Sequence, residues 1–340
     1  MAQVVDLGID LGTSRVVIYS SSKGRLYNEP SAIAIDREKT KLFCVGDKAY
    51  RMIGRTPANM LALRPLRNGQ MVNYEFVIGM LRMVIESLDL RRLFRRGPRV
   101  VLAMPGFINE MERRTISSSL YESGVSHTDL VDKLIAAGIG AGLMIGNTNG
   151  HMVVDIDGGV ADIAVISLGR IVIRRTSVSA GDAFDDAVVR YVRRKYSILI
   201  GELTAERLRR DLGSAVKRSE RLYSEITGRD LVTGMPVSQL IYSDEVAEAI
   251  EEDVRKLVDD IHSALESTPA ELTNDIYQEG IILTGSSANL TGLSDLISTQ
   301  LRVPCHLADN ADECVARGCA KVQSNRREYS KYLLDRRRSL

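Results

Sequence analysis

The chain has 340 residues, 44% hydrophobic and 26% charged, the make-up of a soluble globular protein with more chain than one ordinary core holds. Domains usually run to ~100–200 residues, so two lobes are expected. The 45 basic and 44 acidic side chains leave a net charge of +1, which names no nucleic-acid partner, and the absence of Trp argues against base stacking. Cys44, Cys305, Cys314 and Cys319 form no CxxC pair and fit neither a disulfide scaffold nor a zinc site, so reduced thiols in a cytosolic compartment are expected. No apolar run reaches the ~18–20 residues of a membrane span. Met1–Asp6 lacks a basic n-region and a long apolar h-region, so no signal peptide is expected.

In chain order, the first element is a β-branched run from Val4 to Asp10, a glycine turn at Gly12-Thr13-Ser14, and a second run to Tyr19. This pattern predicts a hairpin with a glycine-dependent tip. Residues 29–67 read as a small insertion with short strands at Ala32–Ile35 and Leu42–Val45. Tyr74–Ser87 carries Phe76, Val77, Met80, Leu81, Val84 and Ile85 at helical spacing. A strand is expected at Pro98–Met104. About 145 residues after the first hairpin a similar one follows: His151–Asp155, then Asp157-Gly158-Gly159-Val160, then Ile163–Ser167. Two matched hairpins, one opening each half, predict two related lobes that face one another. Asp182 to about Leu240 reads as a second, helical insertion. Ser243–Leu265 predicts a helix with Ser243 as N-cap and Val246, Ile250, Val254, Leu257, Ile261 and Leu265 inward. A buried strand at Gly280–Thr284 leads through a small-residue loop into another helix. Strands alternating with helices give an α/β layout with helices on mixed sheets. From Ser324 the tail is basic, with a frayed end expected.

Glycines at 12, 158 and 159 let backbone N–H groups turn toward an anion, as phosphate nests do. Asp10 and Asp155, each just ahead of its turn, suit a hydrated Mg2+, which takes one or two carboxylates. Two such tips would grip a triphosphate from both sides. Gly285-Ser286 would approach a purine or ribose, although a plain strand-to-helix connection suits that segment equally well. His127, His151, His262 and His306 lack metal-ligand spacing.

These residues resemble the actin superfamily and, within it, the MreB family of bacterial actins, from Asp6 to about Val322. Gly8-Ile9-Asp10-Leu11-Gly12-Thr13 is similar to the first phosphate motif, Asp155-Ile156-Asp157-Gly158-Gly159 to the second, and Leu283-Thr284-Gly285-Ser286 to the adenosine motif. Arg64-Pro65-Leu66, Ala180-Gly181-Asp182, Gly201-Glu202 with Thr204-Ala205-Glu206, and Gly228–Gly234 resemble the MreB family in particular. The resemblance implies an actin-like (ribonuclease H-like) two-lobed fold of four subdomains with an interlobe nucleotide cleft. It implies a lobe I core of residues 1–28 and 68–148, a small subdomain of 29–67, a lobe II core of 149–182 and 241–322, a second small subdomain of 183–240, and a basic tail of 323–340. It also implies ATP (or GTP) with Mg2+ in the cleft, Gly181 beside the phosphates, and Glu202 and Glu206 near the ribose and base. Self-assembly into antiparallel double protofilaments on the anionic inner face of the cytoplasmic membrane, with cell-wall elongation partners, belongs to the same implication.

The chain departs from that pattern. Where the family has a Glu-Glu-Pro turn whose second Glu orients the attacking water, it has Asp132-Lys133-Leu134. A lysine only donates and cannot accept a proton from water, so slow or absent hydrolysis is expected unless a nearby acid such as Asp132 substitutes. Lys133 would pair with a phosphate, Asp132 or Asp157. Asp157 replaces a usual glycine, Val160 a threonine, and Ser286-Ser287 a glycine pair. Arg91-Arg92-Leu93-Phe94-Arg95-Arg96 places two apolar residues between arginine pairs. A membrane-inserting loop is expected there, its arginines meeting anionic headgroups. An actin-superfamily sugar kinase would need a catalytic Asp and sugar-binding clusters that are not evident. A heat-shock-type chaperone would need a further substrate-binding region. A filament paralogue with a specialised role, in spore-envelope building or organelle positioning, also fits.

Overall fold

The computed structural model describes residues 6–39, 41–67, 69–88, 97–105 and 110–334. Ten strands build two five-stranded sheets. The first holds β1 (Asp6–Leu11), β2 (Arg15–Ser20), β3 (Gly24–Pro30), β4 (Arg99–Met104) and β5 (His127–Asp132), in the order β5-β4-β1-β2-β3. The second holds β6 (His151–Ile156), β7 (Ala161–Ser167), β8 (Arg170–Ser177), β9 (Ile281–Thr284) and β10 (Cys305–Leu307), in the order β8-β7-β6-β9-β10. In each sheet the first three strands form an antiparallel meander, and the next two add in parallel beside the first. The duplication read from the hairpins therefore extends to whole sheets.

Among the described residues the helices of nine or more residues are α1 (Tyr74–Ser87), α2 (Glu110–Glu122), α3 (Lys133–Ala141), α4 (Gly181–Tyr196), α5 (Glu202–Leu212), α6 (Ser243–Glu266), α7 (Ala270–Glu279), α8 (Leu293–Leu301) and α9 (Cys314–Ser324). α1 starts where the Asn73 side chain accepts from Phe76 N (3.2 Å) and buries Val77, Met80, Leu81, Val84 and Ile85 against the first sheet. α6 buries Val246, Ile250, Val254, Leu257 and Ile261 against the second. Each such side chain contributes ~1.5–3 kcal/mol. Ser243 is the first helical residue rather than the cap, because its hydroxyl accepts from Leu222 N (3.1 Å). The N-cap is Tyr242, whose own N–H donates to Glu245 Oε2 (2.8 Å).

Two helices join the halves. α3 leaves the end of β5 in the first sheet and packs on β6 and β7 of the second, whereas α9 follows the second sheet and packs on β1 and β4 of the first. They meet along a seam that includes Val101, Leu134, Val153, Ile166, Val315 and Val322. The crossing is close at glycines: a Cβ on Gly140 would stand 1.7 Å from Cys314 O, and one on Gly318 1.9 Å from Ala136 O.

Residues 33–36, 41–45 and 60–63 form a small three-stranded sheet. The second insertion is not purely helical: beside α4 and α5 lies a sheet of Ile198–Leu199, Tyr223–Asp230 and Pro236–Tyr242, whose alternating exposure differs from the helical period. The tail is docked as far as Leu334, where Leu334 N donates to Leu130 O (2.8 Å) and Arg326 pairs with Asp129 (2.7 Å). Arg336-Arg337-Arg338 lies outside the described residues. All four cysteines are free. No helix among the described residues is long and apolar enough to cross a membrane.

Candidate functional site

The tips of the two hairpins converge between the halves. Gly12 N donates to Arg15 O (3.0 Å) to close the first, and Asp157 N donates to Val160 O (3.1 Å) to close the second around Gly158 and Gly159. A Cβ on Gly158 would lie 2.3 Å from Ser14 Oγ, so the tips approach this closely because residue 158 has no side chain. α4 begins directly behind the second tip: Gly181 N donates to Asp157 O (3.2 Å) and Asp182 N to Gly158 O (2.7 Å). Val160 is buried beside Gly69, whose N–H donates to Thr13 Oγ1 (3.2 Å).

The charged groups lie between these tips. Lys133, first residue of α3, places Nζ 2.7 Å from Asp155 Oδ2 and 3.9 Å from Asp157 Oδ2. The pairing with Asp157 expected from the sequence is present but is the longer one; the nearest partner is Asp155, and Asp132 is not a partner. Asp132 is engaged elsewhere: its Oδ1 caps α3 by accepting from Leu134 N (3.0 Å), and its Oδ2 accepts from Arg174. Both of its oxygens are thus engaged away from Lys133. Burial opposes the charge of Lys133, but Asp155, Asp157 and Asp10 outweigh it and hold the ammonium well above the ordinary lysine value. Burial pushes the Asp10 carboxyl up to about 7, with Lys133 opposing and Asp157 and Asp155 adding to the rise.

Asp157 is held firmly. Its Oδ2 accepts from Thr13 N (3.0 Å) and its Oδ1 from Ser286 Oγ (2.9 Å). The carboxylate lies over Gly12, where a Cβ would stand 2.5 Å from Oδ2. Asp155 is also committed, since Thr284 Oγ1 donates to its Oδ1 (2.7 Å) while Lys133 meets the other oxygen. The expected magnesium pair is therefore not open as a pair. Of the two carboxylates, Asp10 is the buried one with no hydrogen bond to the described residues, and one carboxylate is enough for a hydrated Mg2+. No group of three His, Cys, Asp or Glu among the described residues could hold an ion directly.

Outside the tips a cavity of about 500 Å³ is lined by Ser14, Arg15, Asn28, Tyr50, Glu206, Arg209, Gly213, Ser286 and Asn289. Glu206 faces it, accepting from Tyr50 Oη (2.7 Å) and Arg64 Nη2 (2.6 Å). Burial alone would raise Glu206, but Arg64 and then the Tyr50 hydroxyl hold it below the usual carboxylate range. Glu202 lies 3.5 Å from Arg64 Nε, and Asp182 is 3.3 Å from the same guanidinium. Arg64 and Tyr50 reach across the cleft, and sequence reasoning assigned neither a role. Arg64 stood in a recognisable string, but nothing local says that it reaches a carboxylate 142 residues away. Gly285 and Ser286 lie at the end of β9 as expected. The following helix, α8, begins only at Leu293, so its free N–H groups are not beside the tips, and Ser287 N donates to Ile156 O (2.9 Å) instead. Arg92, Leu93, Phe94 and Arg95 lie outside the described residues. The histidines do not converge: His127 meets Asp129, His151 meets Glu279, and His262 meets Glu266.

Twin sheets with facing glycine tips, over a cavity closed by the small insertions, define an actin-like protein with an interlobe cleft. Residues 4–331 match the family model described as MreB/Mbl protein, and the chain belongs to this family of cytoskeletal actin homologues. It is 41% identical over 320 residues to the cell shape-determining protein Mbl of Bacillus subtilis (strain 168), covering 94% of this chain and 96% of that one. The crystal structure of MreB5 of Spiroplasma citri bound to ADP superposes with a TM-score of 0.90 at 30% identity, covering 97% of this chain and 99% of that one. The MamK double helical filament, at 18% identity and a TM-score of 0.76 over 95% of this chain and 99% of that one, shares the fold.

Proposed function

We propose that this chain binds an adenine nucleotide between its two hairpin tips and polymerises into membrane-associated filaments that organise cell-wall synthesis and cell shape. The observation that carries the reading is the pair of facing tips, Gly12–Ser14 and Asp157–Val160, at the inner end of a cavity of about 500 Å³. The solved MreB5 structures, which hold ADP in one case and AMPPNP in another, support a nucleotide there. The filament described for MamK and the family's shape-determining members support self-assembly.

In this reading Ser14 and Ser286 meet the phosphates, Glu206, Arg209 and Asn289 surround the nucleoside, and Asp10 is the carboxylate that would hold a hydrated Mg2+. That ion would screen phosphate charge; the chain itself supplies position and hydrogen bonds. Hydrolysis is slow or absent, because an ammonium stands where a water-orienting carboxylate is expected and cannot accept a proton from water. Loss of one positioning group commonly costs ~10²–10³ in rate. Arg92-Leu93-Phe94-Arg95, repeated along a filament, would hold it on an anionic bilayer through avidity.

Sedimentation with and without nucleotide, followed by flotation on anionic vesicles, tests the reading. Filaments should pellet and then float, and replacing Leu93 and Phe94 by Ser should abolish flotation while leaving pelleting intact. A chain that stays monomeric in the supernatant under all conditions would point instead to a small-molecule enzyme of the superfamily.

A further inference from the structure

Asp157 occupies a nest that its own chain builds for an anion. One carboxylate oxygen takes the Thr13 N–H of the first tip, and the other takes the Ser286 hydroxyl. Lys133 stands 3.9 Å away, with its ammonium already set against Asp155 at 2.7 Å. Backbone amide, hydroxyl and nearby cation make up the donor set that a terminal phosphate oxygen would use.

The lining of the cavity bears on which phosphate is concerned. Ser14 and Ser286 line the cavity, whereas Gly12, Thr13, Lys133 and Asp157 are not among its lining residues, and Ser286 joins the two sets through its hydrogen bond to Asp157. A nucleotide seated with its base toward Asn289 meets Ser14 and Ser286 with its inner phosphates. Any further phosphate must enter the space that the Asp157 carboxylate fills, beside Asp155 and Asp10. The only cation in that space among the described residues is already paired. A third phosphate would have to displace a bonded carboxylate and add charge to an acidic pocket, while a second phosphate meets neither obstacle.

We infer that Asp157 is a specificity-determining residue that stands in for the terminal phosphate, so that the cleft selects a nucleoside diphosphate over a triphosphate. The inference rests on the nucleotide reading above and deepens it.

Isothermal titration of the full chain with ADP and, separately, AMPPNP tests it. The wild-type protein should bind ADP at least about tenfold more tightly, the effect of one unfavourable charge contact of ordinary size. Asp157→Gly should bring the two affinities together or reverse their order. Asp157→Asn, which keeps the side-chain shape without the charge, should shift the ratio the same way by less, and it decides the matter if the glycine variant fails to fold. Equal affinities in the wild type, or a ratio unmoved in a folded variant, overturn the inference and leave nucleotide binding standing. If neither ligand binds the wild type, the nucleotide reading falls and this inference falls with it.

Discussion

Lys133 and Asp157 change the cleft together. A lysine introduced alone near a triphosphate would add attraction, and an aspartate alone would add repulsion. Here the ammonium is absorbed by Asp155, and the carboxylate by Thr13 and Ser286, so the two residues make a bonded protein network between the hairpin tips. Restoring a carboxylate at 133 without removing the one at 157 would gather four acids in one small space. The informative variant is therefore the double change Lys133→Glu with Asp157→Gly. Phosphate release from ATP should rise by about 10²-fold over the wild type, and an unchanged rate would mean that hydrolysis is limited elsewhere. Sequence reading identified both substitutions but could not find their partners. Asp157 read as an extra negative charge beside a phosphate, because its donors come from the first tip and from the loop after β9, 144 and 129 residues away.

Among the elements, the hairpins were the most legible, since alternation and a glycine turn are local signals. The faces of α1 and α6 were equally plain. The sheet at residues 198–242 was missed, because its strands expose alternate residues and carry polar side chains on both flanks of α5. One consequence of that region is open to test. α4 and α5 are joined by the buried pair Asp185–Arg209, whose atoms lie 2.6 Å apart. Burial raises Asp185 to about 6, with Arg209 opposing. Such a carboxylate costs stability when ionised, and the cost grows as pH rises from its unfolded value toward its folded one. Arg209→Met removes the partner and should destabilise the protein by about 3 kcal/mol at pH 8. The deficit should shrink toward pH 5 as Asp185 takes up a proton. A deficit independent of pH in thermal melts would show that Asp185 does not carry this charge.

At the scale of the molecule, the two halves are tied at two depths. The deep tie is the tip network, and the outer one is Arg64, which reaches Glu206, Asp182 and Glu202 from the opposite half. Arg64→Ala should loosen the outer tie alone. Small-angle scattering should then give a larger radius of gyration without nucleotide; an unchanged value would assign closure to the tips. The duplicated architecture could be inferred from the spacing of two hairpins, but this bracing could not, because each contact joins segments far apart in the chain.

The exchange of α3 and α9 between the sheets has a consequence for folding and for any attempt to divide the protein. The first half lacks part of its own cover: the layer over β1 and β4 is supplied by residues 314–324, about 300 residues later in the chain. A chain cut just before Cys314 would lose only a short stretch near its end, yet it would strip apolar surface at the opposite terminus. Such a fragment should expose Leu7–Val17 to proteases and aggregate, whereas the strands of the second half should resist digestion longer. Neither half is thus expected to fold by itself, because the cover of the first is completed only once residues 314–324 have packed on β1 and β4.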